Sequence, residues 1–181
     1  MIEEKIGELL TRTKKLSDEG TLEEHLPEQM DFFGKEVLPL LAVQGYLKGI
    51  GKLDPEAANT VISETGKLCG AFALAGMTTR GLEVPTTDVD AFLEAHAKAE
   101  NVASGGTSKL TREGNSVTIV NERCICPLVE KLKIETGPHH CECTVAHLKY
   151  LYETGLGRPV EVELLETCLR GGDSCTIKIS W

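Results

Sequence analysis

Several things that would each announce a class of protein are scarce or missing from this sequence. No run approaches the roughly 20 uninterrupted apolar residues that a membrane-spanning helix needs. The opening, Met1-Ile2-Glu3-Glu4-Lys5-Ile6, has neither the basic head nor the apolar middle of a secretory signal. A cytoplasmic protein without membrane partners is therefore expected. Cations are in deficit too: 19 Lys and Arg face 28 Asp and Glu, a formal net charge of −9. That excess opposes the phosphate neutralisation behind most nucleic-acid affinity, so DNA and RNA are not expected partners. There is no Gly-x-Ser-x-Gly elbow, no His-Glu-x-x-His pair and no phosphate loop, the usual marks of hydrolases, metalloproteases and nucleotide enzymes. Cysteine is nearly absent from the first 120 residues, with Cys69 alone there.

What is present points to one folded domain carrying a helical arm. The chain has 181 residues, of which 41% are hydrophobic, enough to bury a core. Ile2, Ile6, Leu9, Leu10 and Leu16 approximate a helical stripe up to the Ser17-Asp18-Glu19-Gly20 break, and Thr21 with Glu24 forms a capping box. Residues 1–34 read as the arm and 35–181 as the main domain, with a cysteine-rich subregion at 122–181. Within the domain, Val37 to Ile50 is apolar enough to be core. Asp54-Pro55-Glu56 starts a helix that should run to about Ala75, before Gly76, and its glycines and alanines make a small-residue face for close packing. Thr86-Thr87-Asp88 caps another helix, closing near Asn101.

From Ser104-Gly105-Gly106 onward the period changes. Thr107 to Arg112 and Ser116 to Asn121 read as strands around Glu113-Gly114-Asn115, with Val117, Ile119 and Leu110 facing inward. Thr144 to Thr154 is helical, and residues 160–164 and 176–180 alternate as half-buried strands do. The fold class expected is α+β: a helical layer on an antiparallel sheet, with the C-terminal helix and hairpin forming a cysteine-rich metal site.

The chemistry lies in the six later cysteines. Cys124 and Cys126 follow the second strand, Cys141 and Cys143 open the C-terminal helix, and Cys168 and Cys175 bracket the last turn. In a chain without export signals such a group suggests metal ligands or redox thiols more than disulfides. Tetrahedral zinc holds sulfurs roughly 3.8 Å apart, whereas residues two apart on a strand are separated by about 6.5 Å at Cα. The simplest zinc site therefore takes one cysteine from each CxC pair, plus Cys168 and Cys175. An iron–sulfur cluster is wider and accepts more of them. Cys141 and Cys143 also stand at a helix start, where amide donors and the dipole favour thiolate. His139 and His140 are possible additional ligands, as is His147, one turn beyond Cys143. Glu122, Glu142 and Asp173 could orient ligands, and Arg123 and Arg158 could hold an anionic group. Cys69 reads as core packing, and His25 and His96 as surface residues.

The segments CTVAHLKYLYETGLGRPV, residues 143–160, and ELLETCLRGGDSC, residues 163–175, resemble the 4-vinyl reductase domain family. The resemblance covers roughly Val120 to Trp181. It implies a helix, a Gly-Arg-Pro turn, a strand and a cysteine-bracketed hairpin, on a fold that encloses an apolar small-molecule pocket and is commonly dimeric. It also implies zinc near the pocket, held by Cys168, Cys175, Cys143 and either Cys124 or Cys126. The two CxC pairs exceed that family's usual ligand set. The Gly-Gly-Asp-Ser-Cys ending is also similar to the aminothiazoline-carboxylate hydrolase family.

Three functions follow as expectations. The first is a metal-containing module, expected to be a homodimer, that binds or senses a hydrophobic small molecule in a pocket lined by Phe32, Phe33, Tyr46, Phe72 and Met77, and signals through a partner or through rearrangement of the dimer. A hydrolase would use a metal-bound water or a cysteine beside His139, His140 or His147. A redox protein would use the surplus thiols for an iron–sulfur cluster.

Overall fold

A computed structural model describes residues 53–126 and 138–181, together with Thr11, Lys15, Glu19, Gly20 and Val129; of Pro138 and His139 it describes the backbone. Thr11 and Lys15 are helical. The rest of the expected arm and the apolar segment from Val37 to Ile50 lie outside the described residues, as do Phe32, Phe33, Tyr46 and His25.

Helix α1 (Pro55–Thr78) begins as its sequence demands. The Asp54 carboxylate accepts the amides of Glu56 at 3.1 Å and Ala57 at 3.0 Å, and Pro55 takes the first helical position, where no amide is required. The helix passes Gly76 and continues to Thr78. A lone glycine costs a helix only about 1 kcal/mol, and Leu74 and Met77, both buried, anchor the turns on either side of it. Helix α2 (Val89–Ser104) is capped by Asp88, whose carboxylate accepts the Ala91 amide at 3.0 Å.

Strands β1 (Ser108–Glu113) and β2 (Ser116–Asn121) form a hairpin whose two-residue turn places Gly114 at φ +59°, a conformation that suits glycine. A 3₁₀ turn at Pro138–Cys141 leads into α3 (Glu142–Leu156). Strand β3 (Glu161–Glu166) bulges at Leu165, which bends its end toward a second 3₁₀ turn, Cys168–Arg170, before β4 (Cys175–Ser180).

The sheet is antiparallel with order β1-β2-β4-β3, and its helices lie on one face, so the α+β architecture holds. Leu110, Ile119, Ile177 and Leu164 line up in one cross-strand row of the inner face. Val117, Ile179 and Val162 form the next, and both rows meet Leu74, Met77, Phe92, Leu151 and Tyr152. The outer face carries Thr111, Thr118, Lys178, Glu161 and Glu163. Helices α1 and α3 run side by side in the same direction: Gly66 meets Cys143 and Ala146, and Gly70 meets His147 and Tyr150. No helix among the described residues is long and apolar enough to cross a membrane.

Candidate thiol-rich site

The third inner-face row differs from the two apolar ones: it contains Ser108, Asn121 and Cys175. Here β2 ends and β4 begins, so Cys124, just past β2, arrives beside Cys175, with Cys126 two residues further on. The start of α3 brings Cys141 and Cys143 to the same end of the molecule, and the 3₁₀ turn after β3 brings Cys168. All seven cysteines are free thiols.

The thiols fall into two sets of contacts, linked within the CxC pairs by the interactions of Cys124 with Cys126 and of Cys141 with Cys143. Cys175 Sγ accepts the Cys168 amide at 3.5 Å, and its thiol is in hydrogen-bonding contact with the side chains of Cys124 and Cys168. Hydrogen bonding to Cys124, then burial, pushes the Cys175 thiol up, while the bond from Cys175 pulls Cys124 down. In this pair Cys124 is thus the readier thiolate. Burial and the neighbouring Cys175 raise Cys168 to about 11. Burial also raises Cys141, whose charge interacts with Cys175 and is eased by Arg170. In the other set, Cys126 Sγ lies 3.2 Å from His140 Nε2. Burial keeps His140 below its ordinary value, in the neutral form that binds metals. Burial raises Cys143 well above the usual thiol range and Cys69 to about 12; Cys143 interacts with Cys69 and Cys126, and Cys69 with Cys126.

The donors are soft thiols and a neutral imidazole, which suit zinc or an iron–sulfur cluster by their chemistry. As the side chains stand, no three His, Cys, Asp or Glu among the described residues are placed to hold one ion.

Residues 85–181, 97 of the 181, match the model of a family of unknown function (DUF6144). The chain belongs to that family. The DUF6144 segment spans α2, the whole sheet, α3 and six of the cysteines, and leaves α1 with Cys69 outside. No curated protein matches the chain.

The remaining expected site residues are scattered. His139 lies in the 3₁₀ turn before α3. Phe72 is half-buried on α1, and Met77, only 1% exposed, is packed into the core. Glu142 pairs with Arg170, Arg123 donates to the Ser104 carbonyl at 3.1 Å, and Arg158 lies over the Trp181 ring at 5.5 Å. Glu122 and Asp173 are exposed. An open cavity of about 590 Å³ lies around edge strand β3, lined by Val145, Lys149, Val160, Val162, Glu163 and Lys178 among others.

A buried polar network in the DUF6144 segment was not anticipated. His96, expected at the surface, is 1% exposed. Its Nδ1 is 2.9 Å from the hydroxyl of Tyr152, and its Nε2 is 3.3 Å from Glu100. Glu100 reaches Ser108, which bonds Asn121, the strand partner of Cys175. Burial would raise the Glu100 carboxyl, but His96, His147 and Ser108 together outweigh it and the net shift is downward. The spacing of Phe92, His96 and Glu100, four residues apart, was the available signal, since it sets all three on one face of α2. Replacing Tyr152 with Phe should cost roughly 1–3 kcal/mol, because a buried imidazole nitrogen loses its partner. Denaturant unfolding reads this, and an unchanged midpoint would refute the role assigned to the hydroxyl.

His147 belongs to this network more than to the thiols. Burial lowers it to about 4, and the charges acting on it are those of Glu100 and His96. Its folded value lies below the unfolded one, so between about pH 6.5 and 4 the unfolded chain binds the extra proton. Stability from this group is complete above pH 6.5 and falls by roughly 3 kcal/mol as the pH drops toward 4. The depressed Glu100 acts with the same sign at lower pH. Urea midpoints should decline over that window, and His147→Gln should flatten the decline; a midpoint independent of pH would contradict this account.

Proposed function

We propose that the chain is a cytoplasmic, homodimeric small-molecule-binding or sensing module whose C-terminal half is clamped by zinc held on Cys124, Cys141, Cys168 and Cys175. The observation that carries this reading is the meeting of Cys124, Cys168 and Cys175 in one set of hydrogen bonds, with Cys141 in their field. These are one member of each CxC pair plus the two hairpin cysteines, the combination that tetrahedral spacing favours. The likeness to the 4-vinyl reductase domain family supports a structural zinc beside a ligand site. The cavity around β3 has a volume ordinary for small-molecule sites. Its lining of valines together with lysines and glutamates suits an amphipathic ligand.

Elemental analysis and an absorption spectrum of the full chain, made without oxygen, test the reading. Zinc bound to the wild type and reduced in Cys168→Ser is the expected result. Iron with a brown chromophore would instead select the redox protein, and protein free of metal would end the reading. The Cys126–His140 contact favours a second possibility, a hydrolase similar to the aminothiazoline-carboxylate enzymes, in which His140 takes the thiol proton and Cys126 attacks. Turnover of an aminothiazoline carboxylate, abolished in Cys126→Ala, would select it.

A further inference from the structure

The zinc site just proposed leaves Cys126 and Cys143 unused, and geometry gives the reason. The two members of a CxC pair on extended chain stand about 6.5 Å apart, and residues two apart at a helix start point away from each other. Each pair is thus better suited to two centres than to one. Apart from the interactions within each CxC pair, of Cys124 with Cys126 and of Cys141 with Cys143, the contacts divide in that way: Cys124 and Cys141 interact with Cys175, while Cys126 and Cys143 interact with Cys69.

Cys69 reaches this place through the helix crossing. It lies one turn beyond Gly66, and a Cβ built on Gly66 would stand 2.3 Å from the carbonyl oxygen of Cys143. The missing side chain lets the first turn of α3 settle against α1, which sets Cys69 beside Cys143. From the other side the 3₁₀ turn at Pro138–Cys141 supplies His140, 4% exposed, with its Nε2 3.2 Å from Cys126 Sγ. Three thiols and an imidazole thus come from three separate stretches of chain: α1, the segment after β2, and the turn that opens α3.

Resting on the zinc reading above, we propose that Cys69, Cys126, Cys143 and His140 form a second site for a tetrahedral zinc-class ion, distinct from the Cys124–Cys141–Cys168–Cys175 site. Three cysteines and a histidine are an ordinary structural zinc set. A rotation of χ1 between staggered wells carries a sulfur about 3 Å; by such rotations the thiols, none of them grouped in threes as they stand, close on an ion. The surplus cysteines then have a role, and α1 is tied by metal to the C-terminal half.

Metal content of the full chain, loaded with zinc without oxygen and freed of excess, tests this. Two zinc ions per chain are expected in the wild type. Cys69→Ser and His140→Gln should each leave one, as should Cys168→Ser from the other site; the two single-site variants read the second centre even if one of them folds poorly. Cobalt substitution supplies an independent count, since thiolate-to-cobalt absorption should rise in two steps and in one step for His140→Gln. One zinc per chain in the wild type, lost in Cys168→Ser and kept in Cys69→Ser and His140→Gln, would overturn the second site and leave the first standing. Protein that binds no zinc would overturn both.

Discussion

Replacing Gly66 with alanine should destabilise the protein by about 3 kcal/mol, at the upper end of overpacking costs. The added Cβ would lie 2.3 Å from the Cys143 oxygen, 2.6 Å from Ala146 Cβ and 2.9 Å from the His147 nitrogen. Two of these are backbone atoms and the third is fixed to the backbone, so no side chain can swing aside. The helices must separate instead, opening the contact between α1 and α3 beside Leu74, Leu148 and Leu151. Alanine's better helix propensity recovers at most about 1 kcal/mol. For a chain of this size the melting temperature should fall by on the order of 10 °C. Gly76 is the control. A Cβ there meets nothing within 4 Å, so Gly76→Ala should be neutral or raise stability by up to about 1 kcal/mol. Equal effects at the two positions would refute the close crossing.

The contrast between these glycines shows where sequence reasoning stops. The composition of α1 indicates a small-residue face, but which glycine touches a neighbour depends on where α3 lies, and that is fixed by residues some 80 positions away. Features set within a few residues were legible. Asp54 and Asp88 cap their helices, Gly114-Asn115 turns the hairpin, and the alternation of β2 and β4 matches their buried faces. Gly76 misled because a break signal is a local cost, and the burial of Leu74 and Met77 exceeds it. His96 misled because its helix carries many charges, although Phe92 one turn before it marks the buried face.

The cysteines divide along the same line. Their placement at the ends of elements was readable, and it is where the structure puts them. Which member of each CxC pair faces which partner was not, because it depends on how the chain leaves β2 and enters α3. Cys69 is the extreme case. Alone in an apolar helix it reads as packing, and only the α1–α3 crossing brings it near Cys126 and Cys143.

Replacing Cys175 with serine should have the larger consequence of the two substitutions. Cys175 opens β4, an interior strand paired to both β2 and β3, and its thiol joins Cys124 to Cys168. Serine keeps the shape, so the strand register loses little, and without a metal the change should cost only about 1 kcal/mol, the worth of an ordinary hydrogen bond. With a structural ion the cost is of another order, because the free energy of zinc binding, about 10–16 kcal/mol in small zinc domains, is folding free energy. A lost ligand forfeits several kcal/mol of it and with it the solubility of the chain. Thermal melts with and without a chelator separate the two cases. The wild type should melt much lower once chelated, whereas Cys175→Ser should already melt low and lose less on chelation than the wild type, having only the second ion left to give up. Melting of the variant close to the wild type, with neither affected by chelator, would mean that these thiols are held together by packing and hydrogen bonds alone.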